Sequence, residues 1–130
     1  AGTWLDDVNR KLPQVHQAKT VVGVAGTIST AVAVEIGIPE YDREQIHHFT
    51  LTREAAEDVF RTLATEDREA RASNPGLPAG RVDTIVGGMA ILVRTMRHLD
   101  LDSLLASESD ILDGLARSAQ HNDAQQNSRR

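Results

Sequence analysis

Cysteine is absent from the 130-residue chain, so it holds no disulfide framework and no thiolate metal site, a composition suited to a reducing compartment. Long apolar runs are missing as well. No stretch approaches the ~20 consecutive apolar residues that a membrane span requires, and the opening "AGTWLDDVNRK" lacks the basic-then-apolar order of a secretory leader. The expected location is therefore cytoplasmic, with no membrane partner. Positive charge is also short: 14 Lys and Arg stand against 19 Asp and Glu, a formal net charge of −5. Non-specific nucleic-acid binding rests on an excess of basic side chains that neutralise phosphates. Nucleic acid is thus not an expected partner, and any affinity for phosphate must be local. What is present, 40% hydrophobic residues in 130, fits one compact domain that buries roughly two-thirds of its unfolded surface.

Helix signals dominate the chain. Residues 3–12, "TWLDDVNRKL", read as a helix with Thr3 as N-cap and Asp6 and Asp7 in its first turn, limited by Pro13. Residues 20–25, within "KTVVGVAG", read as a buried strand, β-branched and bounded by a glycine turn, and a helix follows over 28–36. "IPEYDREQ" reads as a loop. "IHHFTL" reads as a brief extended segment leading to Thr52, the start of a helix through Val59, Phe60 and Leu63. "TEDREARASNPGLP" reads as a short helix ending in a turn at Asn74, Pro75, Gly76 and Pro78. The strongest periodicity lies in "RVDTIVGGMAILVRTMRHL", where Val82, Ile85, Met89, Leu92, Val93, Met96 and Leu99 trace one stripe, so a long buried helix is expected. Residues 103–107 of "DSLLASES" supply a second strand, and Ser109 or Asp110 caps a last helix, "ILDGLARSA". The polar stretch 120–130 is expected to be a disordered tail.

Two strands separated by helices define an α/β class, helix-rich, with parallel strands near 20–25 and 103–107 joined by long crossovers. A two-stranded sheet leaves faces and edges uncovered. The chain is therefore expected either to be part of a larger unit or to pair with a second copy.

Candidate chemistry starts at "TVVGVAGTIST", residues 20–30. A strand that hands over to a helix presents unpaired backbone N–H groups at the helix's positive end, where phosphate binds readily. Gly26 permits close backbone approach, and Thr27 offers a hydroxyl either to a ligand or to the helix as a cap. The alternative is a tight corner without a ligand. Gly87 and Gly88 sit inside the long helix, where glycine costs up to ~1 kcal/mol against alanine; close packing and an opening toward a cleft both account for them. Arg81 precedes that helix. A cation at a helix start is disfavoured by the dipole, so it pairs either with Asp83 or with an anionic substrate. His47 and His48, adjacent on an extended segment, point to opposite faces and do not share a metal. Arg94, Arg97 and His98 read as a solvated face rather than a track for an extended anion. Glu108 and Asp110 stand where carboxylates meet Mg²⁺, but a cap role for Asp110 explains the position equally well.

Four segments, "VVGVAGTIST", "YDREQIHHFTLTREAAEDVF", "NPGLPAGRVDTIVGGMAILVRTM" and "SESDILDGLA", occur in an order and spacing that resemble the C-terminal part of the exopolyphosphatase and guanosine pentaphosphate phosphatase family, with the last segment most like actinobacterial members. The resemblance implies that residues 1–119 form the C-terminal part of the second lobe of an actin-like (ribonuclease H-like) duplication. It further implies hydrolysis of terminal phosphoanhydride bonds in polyphosphate or guanosine pentaphosphate, usually with Mg²⁺, while the open two-stranded sheet leads to a homodimer as the expected assembly. Phosphate then falls to Ala25, Gly26 and Thr27, and the substrate cleft to Arg81, Gly87 and Gly88. The Asp-x-Gly-Gly-Gly-Ser/Thr turn that opens the family's second lobe and the catalytic glutamate of its first lobe are both missing from these 130 residues. No catalytic residue or metal ligand is therefore assigned. A non-catalytic nucleotide- or partner-binding module of the same lobe shape is the other expectation.

Overall fold

The computed structural model describes residues 2–109 and 111–127, with side chains described over 2–109 and 111–119. Among the described residues, seven helices and three strands follow in the order α1 (Gly2–Lys11), β1 (Val22–Val24), α2 (Gly26–Ile36), α3 (Arg43–Ile46), β2 (Thr50–Thr52), α4 (Arg53–Thr65), α5 (Arg68–Ala72), α6 (Ile85–His98), β3 (Ser103–Ser107) and α7 (Ile111–Asn127). Short 3₁₀ turns fill Pro13–Gln17 and Ala79–Arg81. The strand order is β1-β3-β2. β1 runs parallel to β3, with Val22 opposite Leu105, and β2 runs antiparallel to it, with Leu51 opposite Leu104.

The expected parallel pair is present, and a third strand joins it in the extended segment that leads to Thr52. Thr52 accepts the Ala55 N–H at 3.1 Å and caps α4, satisfying one of the donors that a helix start leaves open. The apolar stripe is buried at Ile85, Met89, Leu92, Val93 and Met96 of α6, and at Val82 just before the helix. It meets Ala56, Val59 and Leu63 of α4, Ala31 and Val32 of α2, and Leu51, Leu104 and Ala106 from the sheet. Each large side chain so enclosed contributes about 1.5–3 kcal/mol, and together they fix the relative placement of α2, α6 and β3.

Several expectations give way. β1 is an outer strand whose Val22 and Val24 are half exposed, at 53% and 50%, rather than a buried one. Its single inward residue is Gly23, where a Cβ would stand 2.9 Å from Leu104 Cδ1; by the two-residue alternation the valines point to the other face. The helix that opens the chain starts at Gly2, one residue before Thr3, which moves Asp6 and Asp7 out of the first turn. Asp7 instead binds Arg10 and Lys11. "IPEYDREQ" is not all loop: Asp42 accepts the Glu44 and Gln45 N–H groups and starts α3. α6 begins at Ile85, three residues after Val82 where the expected stripe opens, and Arg81 lies before it in the Ala79–Arg81 turn, as expected. Helical backbone in α7 continues to Asn127, into the polar stretch expected to be a tail; Asp110 and residues 128–130 lie outside the described residues.

A candidate phosphate site between β1, α2 and α6

The corner between β1 and α2 belongs to Ala25. Its backbone has φ 73° and ψ 171°, a region that residues with a Cβ rarely enter and that costs of order 1–3 kcal/mol. The Ala25 carbonyl accepts the Ile28 and Ser29 N–H groups at 3.0 and 3.3 Å, and no side chain caps the helix. The N–H groups of Gly26 and Thr27 therefore have no acceptor within α2 and form its electropositive end. The positive φ at this corner belongs to Ala25 and not to Gly26. Thr27 is not the cap, since it lies inside the helix and Ala25 holds the cap position.

Gly26 is small for another reason. A Cβ there would overlap the guanidinium of Arg81, and only a bare Cα lets that group lie against the turn. The placement of Arg81 is built locally: Gly76, at φ 81°, packs on the α2 backbone around Ala33, Pro78 accepts the Arg81 N–H at 2.8 Å, and the 3₁₀ turn aims the side chain back toward Gly26. The expected alternative partner, Asp83, is engaged elsewhere. Arg68 holds it with two bonds, Nε at 2.8 Å and Nη2 at 3.1 Å, and this contact keeps the Asp83 carboxyl below the usual carboxylate range. Among the described residues no carboxylate or carbonyl binds the Arg81 guanidinium.

Gly88 brings α6 onto the same corner. A Cβ on Gly88 would stand 2.7 Å from Thr27 Oγ1, so the glycine sets how closely α6 approaches α2. Gly87 faces open space and takes no part in this contact. Two cavities flank Arg81 and Gly26. One, of about 390 Å³, is lined by Ala25, Ser29, Tyr41, Glu108 and their neighbours; the other, of about 520 Å³, by Thr27, Gly88, Ile91 and Thr95 among others. Of the six residues expected to meet substrate, Ala25, Gly26, Thr27, Arg81 and Gly88 are brought together and Gly87 is not.

Glu108 forms the far wall of the first cavity. Its carboxylate accepts hydrogen bonds from the Ser29 hydroxyl and the Tyr41 phenol, and its backbone N–H donates to His47 Nδ1 at 3.0 Å. The bond to Glu108, then burial and the nearby negative charge, pushes the Tyr41 phenol above its ordinary value. Ser29 and Tyr41 carry no local motif, and their meeting with Glu108 spans most of the chain, so nothing in the neighbouring sequence announces it. His47 and His48 do not point apart: His48 has φ 68°, which folds the two rings into a stack with centroids 3.8 Å apart. Arg97 binds Glu57 at 2.7 Å, and His98 Nε2 lies 3.2 Å from Asp6 without the alignment of a hydrogen bond. Both tie α6 to neighbouring helices. Among the described residues no three His, Asp or Glu side chains converge as a metal site, and the Glu108 oxygens are already taken by hydroxyl donors.

A parallel β1–β3 pair bridged by α2, with α4 and α6 stacked on one face, is part of an α/β lobe of the actin-like class. A crystal structure of the Aquifex aeolicus Ppx/GppA family member superposes with a TM-score of 0.75 at 22% identity, covering 93% of this chain and 40% of that one. Residues 3–122 match the Ppx/GppA phosphatase family, and the chain belongs to it. Among curated relatives, Exopolyphosphatase 2 of Mycobacterium tuberculosis is 34% identical over 116 residues, which is 86% of this chain and 36% of that protein. This accords with the actinobacterial likeness of the last segment. The Bifunctional 3-dehydroquinate synthase/phosphatase of Fusobacterium nucleatum is 33% identical over 115 residues, 88% of this chain and 17% of that protein. The chain thus spans about a third or less of the curated relatives it matches.

Proposed function

We propose that this chain supplies the phosphate-holding corner of the second lobe of an exopolyphosphatase-type hydrolase, one that removes the terminal phosphate of polyphosphate or guanosine pentaphosphate. The observation that carries this reading is Arg81: a guanidinium laid against the bare Cα of Gly26, at the open start of α2, without an acidic partner among the described residues. A phosphate at this corner takes backbone N–H bonds from the helix start and a charge-assisted bond from Arg81. Gly88 and Thr27 shape one wall. The water-activating base lies outside these 130 residues on this reading, and so do the ligands of any magnesium ion the whole protein uses. The chain alone then binds phosphate without hydrolysing it. A second copy, covering the exposed side of β1, completes the proposed assembly.

Calorimetric titration of the chain with tripolyphosphate tests the reading. Replacing Arg81→Gln removes one charged hydrogen bond, about 1.5–3 kcal/mol, and lowers affinity roughly tenfold or more. Equal affinity in a normally folded Arg81→Gln protein sinks it.

A further inference from the structure

We infer that Glu108 restricts how the phosphate chain is threaded past Arg81, by closing the cavity on the β3 side to a second phosphate group. The inference rests on the phosphate reading of the Arg81 corner. Arg81, Gly26 and Glu108 line the same cavity of about 390 Å³. The Glu108 carboxylate is fixed there by two neutral donors, the Ser29 hydroxyl and the Tyr41 phenol. Such neutral donors hold the carboxylate in place without cancelling its charge. Arg43 makes no hydrogen bond to the carboxylate: its Nη2 donates instead to the Glu108 backbone carbonyl at 3.2 Å and to Asp113 at 3.4 Å.

One phosphate bound at Arg81 is matched by the guanidinium. A second phosphate reaching into this cavity meets a held negative charge, and Arg81, already matched to the first phosphate, is the one cation among the described residues of the cavity's lining. On the opposite side of Arg81 the cavity of about 520 Å³ is lined by Thr27, Ile28, Gly88, Ile91, Leu92 and Thr95, with no acidic residue. Repulsion on one side and a neutral wall on the other give the chain a direction: the terminal phosphate faces Glu108 and the remaining phosphates leave past Gly88 and Thr95. Glu108 is in this sense a specificity residue, acting on the charge of what lies beyond the first phosphate. It also admits an uncharged group to its own side.

The test compares orthophosphate and tripolyphosphate binding to the wild-type chain, Glu108→Gln and Arg81→Gln by calorimetry, with melting curves as a fold control. Glu108→Gln keeps the size of the side chain and an acceptor oxygen while removing the charge. The expected result is a rise of about tenfold in the ratio of tripolyphosphate to orthophosphate affinity, shrinking as salt is added, as a partly exposed charge repulsion demands. The double variant Ser29→Ala, Tyr41→Phe keeps the charge and shifts the ratio by less than half as much on a logarithmic scale. If Glu108→Gln fails to fold, Glu108→Ala carries the same comparison. An unchanged ratio in a folded neutral variant overturns the inference while Arg81→Gln still weakens both ligands. Should Arg81→Gln leave both affinities intact, or the wild-type chain bind neither probe, the phosphate reading falls and this inference with it.

Discussion

Gly87 and Gly88 are adjacent glycines with opposite surroundings, and alanine separates them. A Cβ on Gly87 would meet nothing within 4 Å, so Gly87→Ala fills no occupied space and gains helix propensity, stabilising by about 0.5–1 kcal/mol. Gly88→Ala drives a methyl to 2.7 Å from Thr27 Oγ1 and forces α6 away from α2. Overpacking of this kind costs about 1–3 kcal/mol. Urea unfolding of the two variants checks both signs; a Gly88→Ala protein as stable as Gly87→Ala means the corner yields freely. The requirement for glycine at this position is visible in the sequence only as a doublet. Which of the two is needed depends on the rotation of α6, and that is set by the apolar stripe from Val82 to Met96 packing on α4. Ala25 gave no signal at all, because its positive φ is imposed by the junction of strand and helix rather than by its side chain.

At the scale of elements, α2, α4 and α6 were legible because each carries its own instruction: a cap at Thr52, an apolar stripe at helical spacing, a glycine after the last helical turn at Gly37. The sheet was less so. β2 has three residues, one of them buried, too few to show a period. The status of β1 as an outer strand cannot be read from "VVGV", since a run of valines suits a buried strand equally well. That status has a consequence for association. With Val22 and Val24 half exposed on β1 and Ile91 exposed on α6, the chain is expected to self-associate in sedimentation experiments as concentration rises. Val24→Lys places a charge on the outer strand, a device that blocks edge pairing, and shifts the distribution to monomer. A wild-type chain that stays monomeric at high concentration counts against the second copy.

Across the whole molecule, ion pairs on the surface set the response to acid. Asp83 is held below its ordinary value by Arg68, and Glu57 by Arg97. Groups with lowered folded values contribute stability above the unfolded-state value, about 4, and lose it as pH falls through the lower folded ones. Melting temperature should therefore decline as pH drops below about 4, and Asp83→Asn should flatten part of that decline. Added salt weakens the same exposed pairs. A melting temperature constant from about pH 5 to about pH 2 would falsify this assignment.

The order β1-β3-β2 puts the last strand of the sequence at the centre of the sheet, with Val22 and Thr50 both opposite Leu105. Among the described residues neither outer strand meets its partner until residues 103–107 have been made. Up to that point α2 and α4 can form as local structure, but β1 and β2 have no β3 to pair with. Sheet closure then has to bring together residues from distant parts of the chain in one late step, the kind of contact pattern that slows folding. The half-exposed valines of β1 stay without their β3 neighbours through that interval.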